Sequence, residues 1–546
     1  MSQIPVLRPR LPRPGRRTMS AALCVAAVLG LAAPAGAGTW SGASGATPPV
    51  PQLVWRSCGE PGRSDFQCAV LDVPTDYDEP HGATTRVALT KLPATGPGER
   101  LGSLFTNPGG PGGSGVEFVQ AVGKTAFDPQ VREHFDIIGF DPRGVAGSDP
   151  VTCFRDAKEE EAHLGRLPAF PVTRAEEHRF TREILKVARG CLERSRERVE
   201  HASTANVARD LDLMRQAVGD RKLTYAGYSY GTFLGATYAR LFPRKVRALM
   251  LDGTVEPVNY TGLNGDRRPV TARTGQGAAA SLALKEFTRL CAQAGPGRCA
   301  LAGLGDPGAV IERTLSKLVA SPVTITPPGG GSVVFTYPFA VETLFNALYK
   351  PQSWASLAAT FAVVATLAEG SGEPRARRLP SEVTAFLREQ RTNYPSVGGT
   401  LANLCTDTLN HRVNPGDFPA LAEAEDAGAR HFGRYRAWQS LACTRIGNVD
   451  RDAYLGSWLQ TVTAPVMVAG TRFDPATPYR FTRPFADRFP NARVVTLEGW
   501  GHGGTLFKSR CMNQLVARYL VELKVTDGAR CWPDARPFGE SPATGR

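Results

Sequence analysis

Lys222-Leu-Thr-Tyr-Ala-Gly-Tyr-Ser-Tyr-Gly-Thr-Phe-Leu-Gly-Ala, residues 222–236, decides the fold. β-Branched and aromatic residues lead into Gly227-Tyr228-Ser229-Tyr230-Gly231, and Thr232 to Phe242 leads out with helical spacing. A strand, a glycine-framed serine and a small-residue helix describe a sharp turn that lifts a hydroxyl clear of the backbone. Glycines two residues either side of Ser229 let neighbouring elements approach closely. An ordinary strand–helix turn fits the pentapeptide alone; the flanking pattern argues for more.

Working outward, residues 204–218 have helical spacing and feed this strand, and 246–252 form the next one. Upstream, 85–92, 102–107 and 135–141 read as strands, the second running into Pro108-Gly-Gly-Pro-Gly-Gly-Ser-Gly115. From about Pro257 to Ser457 the pattern turns mainly helical, with a glycine-rich break at 327–331. Strands resume at 464–470 and 492–499, and a last helix runs from about Leu506 to Leu523. Alternating strands and helices imply a mostly parallel sheet flanked by helices. The predicted organisation is one catalytic domain in two parts, 54–256 and 458–546, with a large helical lid, 257–457, inserted between them. A chain of 546 residues is long enough for that.

A serine hydroxyl needs a base to take its proton, and the base needs an orienting acid. Of eight histidines, most lie in charged helical or loop text. His502 differs: Gly499-Trp-Gly-His-Gly-Gly directly follows a predicted strand, where a loop presents an imidazole at the sheet edge. Asp474, in Gly470-Thr-Arg-Phe-Asp-Pro-Ala-Thr-Pro, follows the preceding strand in the same way. The order Ser229, Asp474, His502 is that of an α/β-hydrolase triad. Asp252, at the end of the strand after the nucleophile helix, is a rival for the acid. Asp141, before Pro-Arg-Gly, reads as a turn residue.

Gly110, Gly112 and Gly115 also fit G-x-G-x-x-G, a dinucleotide fingerprint, with Asp136 and Asp141 placed for a ribose contact. That reading would make the chain an oxidoreductase. Pro111 inside the fingerprint opposes it, and it leaves Ser229, Asp474 and His502 unexplained. The hydrolase reading uses the loop to bare N–H groups toward an oxyanion, with Tyr230 N–H as second donor. It requires no cofactor and no metal.

Asn107-Pro-Gly-Gly-Pro-Gly-Gly-Ser-Gly, Phe140-Asp-Pro-Arg-Gly, Gly-Tyr-Ser-Tyr-Gly-Thr and the Asp474 and His502 segments together resemble the proline iminopeptidase/tripeptidyl aminopeptidase family of α/β-hydrolases. The similarity is greatest to its secreted actinobacterial branch and runs from about Val54 to Trp532. It implies Ser229 as nucleophile, His502 as base, Asp474 as its partner, and an oxyanion hole from the Gly110 and Tyr230 N–H groups. It also implies release of short peptides from free N-termini. Pro108 replaces the His usual in proline iminopeptidases. Thr444-Arg-Ile-Gly stands where the branch often has Trp-Pro after Cys443.

Reading a free amine calls for a carboxylate near the nucleophile, because a buried ammonium is otherwise costly. Glu117, Glu342 and Asp407 are the candidates. Phe335, Tyr337, Phe345 and Tyr349 read chiefly as lid core. A carboxylesterase on the same fold and a binding protein on an inactive scaffold are the alternatives.

The first 37 residues combine a basic stretch, the apolar run 21–33 and Ala35-Gly36-Ala37, the pattern of a cleaved secretory signal. Arg16-Arg17 leaves a twin-arginine route open. Residues 38–53 read as a flexible mature N-terminus. Five of the +13 net charges are Arg8, Arg10, Arg13, Arg16 and Arg17, and no basic run with interleaved aromatics follows, so nucleic acid is a poor partner. No second long apolar stretch appears, so a secreted, soluble monomer acting on peptides is expected. Of eleven cysteines, Cys24 lies in the signal. The other ten fall as sequence neighbours, predicting Cys58–Cys68, Cys153–Cys191, Cys291–Cys299, Cys405–Cys443 and Cys511–Cys531. No Cys/His cluster points to a metal.

Overall fold

The computed structural model describes residues 48–59, 62–325, 332–370, 381–389, 397–506 and 509–539. The predicted signal, most of the predicted N-terminal segment and the break at 327–331 lie outside them. Ten strands form one sheet: β1 (Arg56–Ser57), β2 (Gln67–Pro74), β3 (Thr84–Leu92), β4 (Gly102–Asn107), β5 (Phe135–Phe140), β6 (Leu223–Tyr228), β7 (Val246–Asp252), β10 (Val466–Phe473), β11 (Ala492–Trp500) and β12 (Ala529–Cys531). The missing numbers, β8 (Val323–Ile325) and β9 (Val333–Phe335), are a separate hairpin.

The sheet order is β1-β2-β3-β5-β4-β6-β7-β10-β11-β12. From β5 to β12 neighbouring strands run parallel, while β1, β2, β3 and β5 pair antiparallel. β4 and β6 are buried along their whole length, as strands covered on both faces must be. β2 alternates between buried Ala69, Leu71 and Val73 and exposed Val70 and Asp72, the pattern of a strand wet on one face. β10 begins at Val466 and not at Ala464, because Pro465 has no N–H for the ladder. The last helix spans Arg510–Glu522, later than expected: Ser509 Oγ accepts the Met512 N–H and sets its start.

Between β7 and β10 the chain is mainly helical, with the β8–β9 hairpin as the exception. These helices share a core that includes Phe287, Leu344, Trp354, Phe361 and Trp438. Phe180, on the helix Arg174–Glu200, packs edge-on against Trp438 at 5.6 Å. The helical layer therefore recruits a helix that precedes Ser229, outside the predicted 257–457 span. Disulfides join Cys58 to Cys68, Cys153 to Cys191, Cys291 to Cys299, Cys405 to Cys443 and Cys511 to Cys531. Among the described residues, no helix is long and apolar enough to cross a membrane.

Candidate active site

Ser229 sits between β6 and the helix Tyr230–Leu241 with φ 56° and ψ −124°, a left-handed conformation that costs a non-glycine residue energy. Its N–H donates to Asp252 O at 2.9 Å, and its carbonyl accepts the Thr232 hydroxyl at 2.6 Å. The hydroxyl of Ser229 does not cap the helix, which leaves it available. The flanking glycines are there for closeness. A Cβ on Gly227 would lie 2.4 Å from Gly231 O, and one on Gly231 would lie 2.7 Å from Asn107 O.

The loop after β4 folds onto this turn. Gly109 has φ 92°, and a Cβ there would fall 2.5 Å from Tyr228 O and 2.7 Å from Ser229 Cβ. Asn107 Oδ1 accepts the Gly109 N–H at 2.9 Å and fixes the bend. Among the described residues the Gly110 N–H has no hydrogen-bond acceptor. The Tyr230 N–H, at the first position of its helix, has none within the helix. Asp141 accepts from Ser114 Oγ at 2.6 Å and from Gly147 N–H at 3.0 Å, which ties the loop to the turn after β5. Asp136 is engaged by Ala94 N–H and Arg100. Neither acid named in the dinucleotide reading is left to a ribose.

His502 follows β11 and Asp474 follows β10. His502 Nδ1 stands 2.8 Å from Asp474 Oδ2 and 3.0 Å from Oδ1. Asp474, buried, also accepts from the N–H groups of Ala476 and Thr477 and from the Thr477 hydroxyl. Burial pulls the His502 imidazole down, but Asp474 outweighs it, and the net shift is above the ordinary histidine value. Ser229 and His502 each border the corner Asp252–Gly253. Asp252 O holds the Ser229 N–H, and a Cβ on Gly253 would lie 3.1 Å from His502 Cε1.

Asp252, the rival acid, makes no hydrogen bond to His502: its Oδ2 accepts the Thr505 N–H and hydroxyl, both at 2.7 Å, and its charge adds to the rise of the imidazole less than Asp474 does. Asp252 is fully buried, and burial raises its carboxyl.

The three candidate amine acids are scattered. Glu117 is exposed on the helix Gly115–Val122. Asp407 is buried and spent on Thr204, whose N–H and hydroxyl it accepts; the Thr204 hydroxyl in turn meets Tyr230 OH at 2.5 Å. Burial pushes the Asp407 carboxyl up to about 7. Glu342 lies on the helix Tyr337–Leu348, half-buried, and among the described residues it makes no hydrogen bond. Burial raises its carboxyl, and nearby Arg436 opposes the rise.

Phe335, Tyr337 and Phe345 are core, as expected. Tyr349, half-buried, packs against that core and on Phe345, and its ring also meets the His502 imidazole edge-on at 5.0 Å. Thr477 was missed in the sequence. Its hydroxyl touches Asp474 and lies 3.3 Å from His502 Nδ1. The signal for it was Asp474-Pro-Ala-Thr477, an acid followed three residues later by a threonine able to close a local turn.

A parallel sheet with a serine at the strand-to-helix turn, and an acid and a histidine after later strands, defines an α/β-hydrolase. The family profile described as alpha/beta hydrolase fold matches residues 103–292, and that of TAP-like proteins matches 429–531. The chain is 31% identical over 497 residues to the serine protease Hip1 of Mycobacterium tuberculosis, covering 85% of this chain and 87% of that one. It is 31% identical over 503 residues to the tripeptidyl aminopeptidase of Streptomyces lividans, covering 89% and 87%. It is 32% identical over 538 residues to carboxylesterase B of M. tuberculosis, covering 93% and 96%. The chain belongs to the tripeptidyl aminopeptidase-like family of α/β-hydrolases and is a hydrolase of that fold.

Proposed function

We propose that the protein is an exported serine aminopeptidase that releases short peptides from free N-termini, with Ser229, His502 and Asp474 as its triad. The observation that supports this is Ser229 in a left-handed turn bonded to Asp252 of the corner Asp252–Gly253, whose Gly253 borders an imidazole with Nδ1 2.8 Å from Asp474. Ser229 Oγ attacks the scissile carbonyl carbon while His502 Nε2 takes the hydroxyl proton. Asp474 keeps the proton on Nδ1 and stabilises the imidazolium. The Gly110 and Tyr230 N–H groups receive the developing oxyanion, where one such donor is worth roughly 3–4 kcal/mol. His502 then protonates the leaving amine, and a water that it activates hydrolyses the ester at Ser229.

We assign the substrate amine to Glu342, half-buried and without a hydrogen bond among the described residues. Residues 342, 345 and 349 share one helix face, and Tyr349 keeps helical backbone geometry at the C-cap. At 1.5 Å rise per residue, Glu342 stands about 10 Å along the axis from the tyrosine that touches His502. Three extended residues span about 10 Å. An ammonium paired with Glu342 would on that spacing suit a product of about three residues.

The test is an assay of one-, two- and three-residue chromogenic amides, free and acetylated, beside a short acyl ester, with Ser229→Ala as control. Cleavage of free tripeptide amides only, abolished in the variant, supports the reading. Turnover of the ester alone, or indifference to acetylation, would move it to the carboxylesterase that one relative's name offers.

A further inference from the structure

Away from Ser229, the fold gathers three potential metal ligands from distant parts of the chain. Asp76 follows β2, His201 caps the C-terminus of the helix Arg174–Glu200, and Asp452 lies between the helical block and β10. One ligand atom from each lies within 4.8 Å of both others. His201 is partly buried; its Nδ1 is shielded from solvent and, among the described residues, has no hydrogen-bond partner. A buried polar atom with no partner costs free energy, so such a nitrogen points to a ligand.

The charges nearby also leave room for a cation. Asp450 stands beside the cluster, accepting the Asp452 N–H at 2.8 Å. Against these three acids stand Arg209, whose Nη1 is 3.7 Å from Asp452 Oδ2 but 2.6 Å from Asn206 Oδ1, and Arg143, which donates to the Thr75 and His201 carbonyls but is paired with Asp210 at 2.6 Å. Asp76 Oδ1 accepts the Asp78 N–H at 2.8 Å, which orients its carboxylate.

The geometry points to a divalent transition-metal site built from Asp76, His201 and Asp452. Metal bonds of about 2.0–2.2 Å require ligand atoms about 3.0–3.5 Å apart, a contraction within reach of side-chain rotation. One imidazole and two carboxylates suit Zn²⁺ or Mn²⁺ better than Ca²⁺ or Mg²⁺, which prefer all-oxygen shells. The ion would pin the end of β2, the end of the long helix and the return from the helical block. Its role is structural, and it takes no part in the hydrolysis.

The test uses the full mature chain stripped with chelator. Zn²⁺ binding is read by equilibrium dialysis with elemental analysis, and thermal unfolding is followed in parallel. One Zn²⁺ per chain, a saturable rise in melting temperature, and at least tenfold weaker binding in both His201→Ala and Asp76→Asn, with His411→Ala unchanged, would establish the site. Absence of stoichiometric Zn²⁺, or binding that both variants retain, would overturn it. Ca²⁺ binding indifferent to His201→Ala, with no Zn²⁺ uptake, would overturn it equally.

Discussion

Tyr349 holds His502 from two directions: its carbonyl accepts the His502 N–H at 3.1 Å, and its ring meets the imidazole edge-on at 5.0 Å. The backbone bond survives loss of the side chain, but the ring contact does not. Edge-to-face aromatic pairs are worth about 0.5–1.5 kcal/mol. Tyr349→Phe should keep wild-type kcat, whereas Tyr349→Ala should lose about two- to tenfold. Steady-state kinetics on a tripeptide amide check this.

Asp474 raises the His502 imidazole above the ordinary histidine value, so the protonated, inactive form persists to higher pH. kcat/KM should fall toward acid with an apparent midpoint above 6.5. Asp474→Asn should move that midpoint down and lower kcat by roughly 10³–10⁴-fold. A pH–rate profile that stayed flat from neutral into acid would remove His502 from the mechanism. In folding, a raised histidine adds stability below its unfolded value and loses it as pH climbs through the folded one.

Gly109 has neither the backbone nor the space for a side chain. Its φ of 92° strains any L residue, and a Cβ would fall 2.7 Å from Ser229 Cβ. Gly109→Ala should cost about 1–3 kcal/mol from strain alone. It should also displace the Gly110 N–H, lowering kcat by about 10²–10³-fold. Thermal unfolding and fluorophosphonate labelling separate the two effects: folded but slowly labelled protein is expected.

Glu342→Gln should weaken kcat/KM on free-amine tripeptide amides by about tenfold or more, and leave the acetylated amide and the ester unaffected. An equal loss on all three substrates would assign Glu342 to packing.

Asp407 has a carboxyl raised to about 7 by burial, so it favours the fold while protonated. Its contribution is complete below the usual carboxylate range and declines as pH rises through about 7. Asp407→Asn, which can still accept from Thr204, should flatten stability against pH in that interval in urea titrations.

Ser229, Asp474 and His502 were legible because each depends on local chemistry, a glycine-framed turn or a loop just past a strand. β4 and β7 announced themselves by short apolar stretches, Leu104-Phe105 and Ala248 to Leu251. β12, three residues long, is a strand only because β11 lies beside it. Helix Arg174–Glu200 was legible as neither core nor surface, since its charged text hides the one face that reaches Trp438. Asp407 looked available beside Cys405 because nothing in its neighbourhood names Thr204. Asp76, His201 and Asp452 share no spacing at all, and only the folded chain brings them together.

The bond from Asp407 to Thr204 reaches out of the helical block and into the ground beneath the nucleophile. Thr204 opens the helix Thr204–Ala217 and touches Tyr230, the residue next to Ser229. An engineer who replaced the whole insert by a relative's would withdraw the acceptor from under that helix. Chimeras at this seam should respect the Asp407–Thr204–Tyr230 chain and exchange only the turns beyond it.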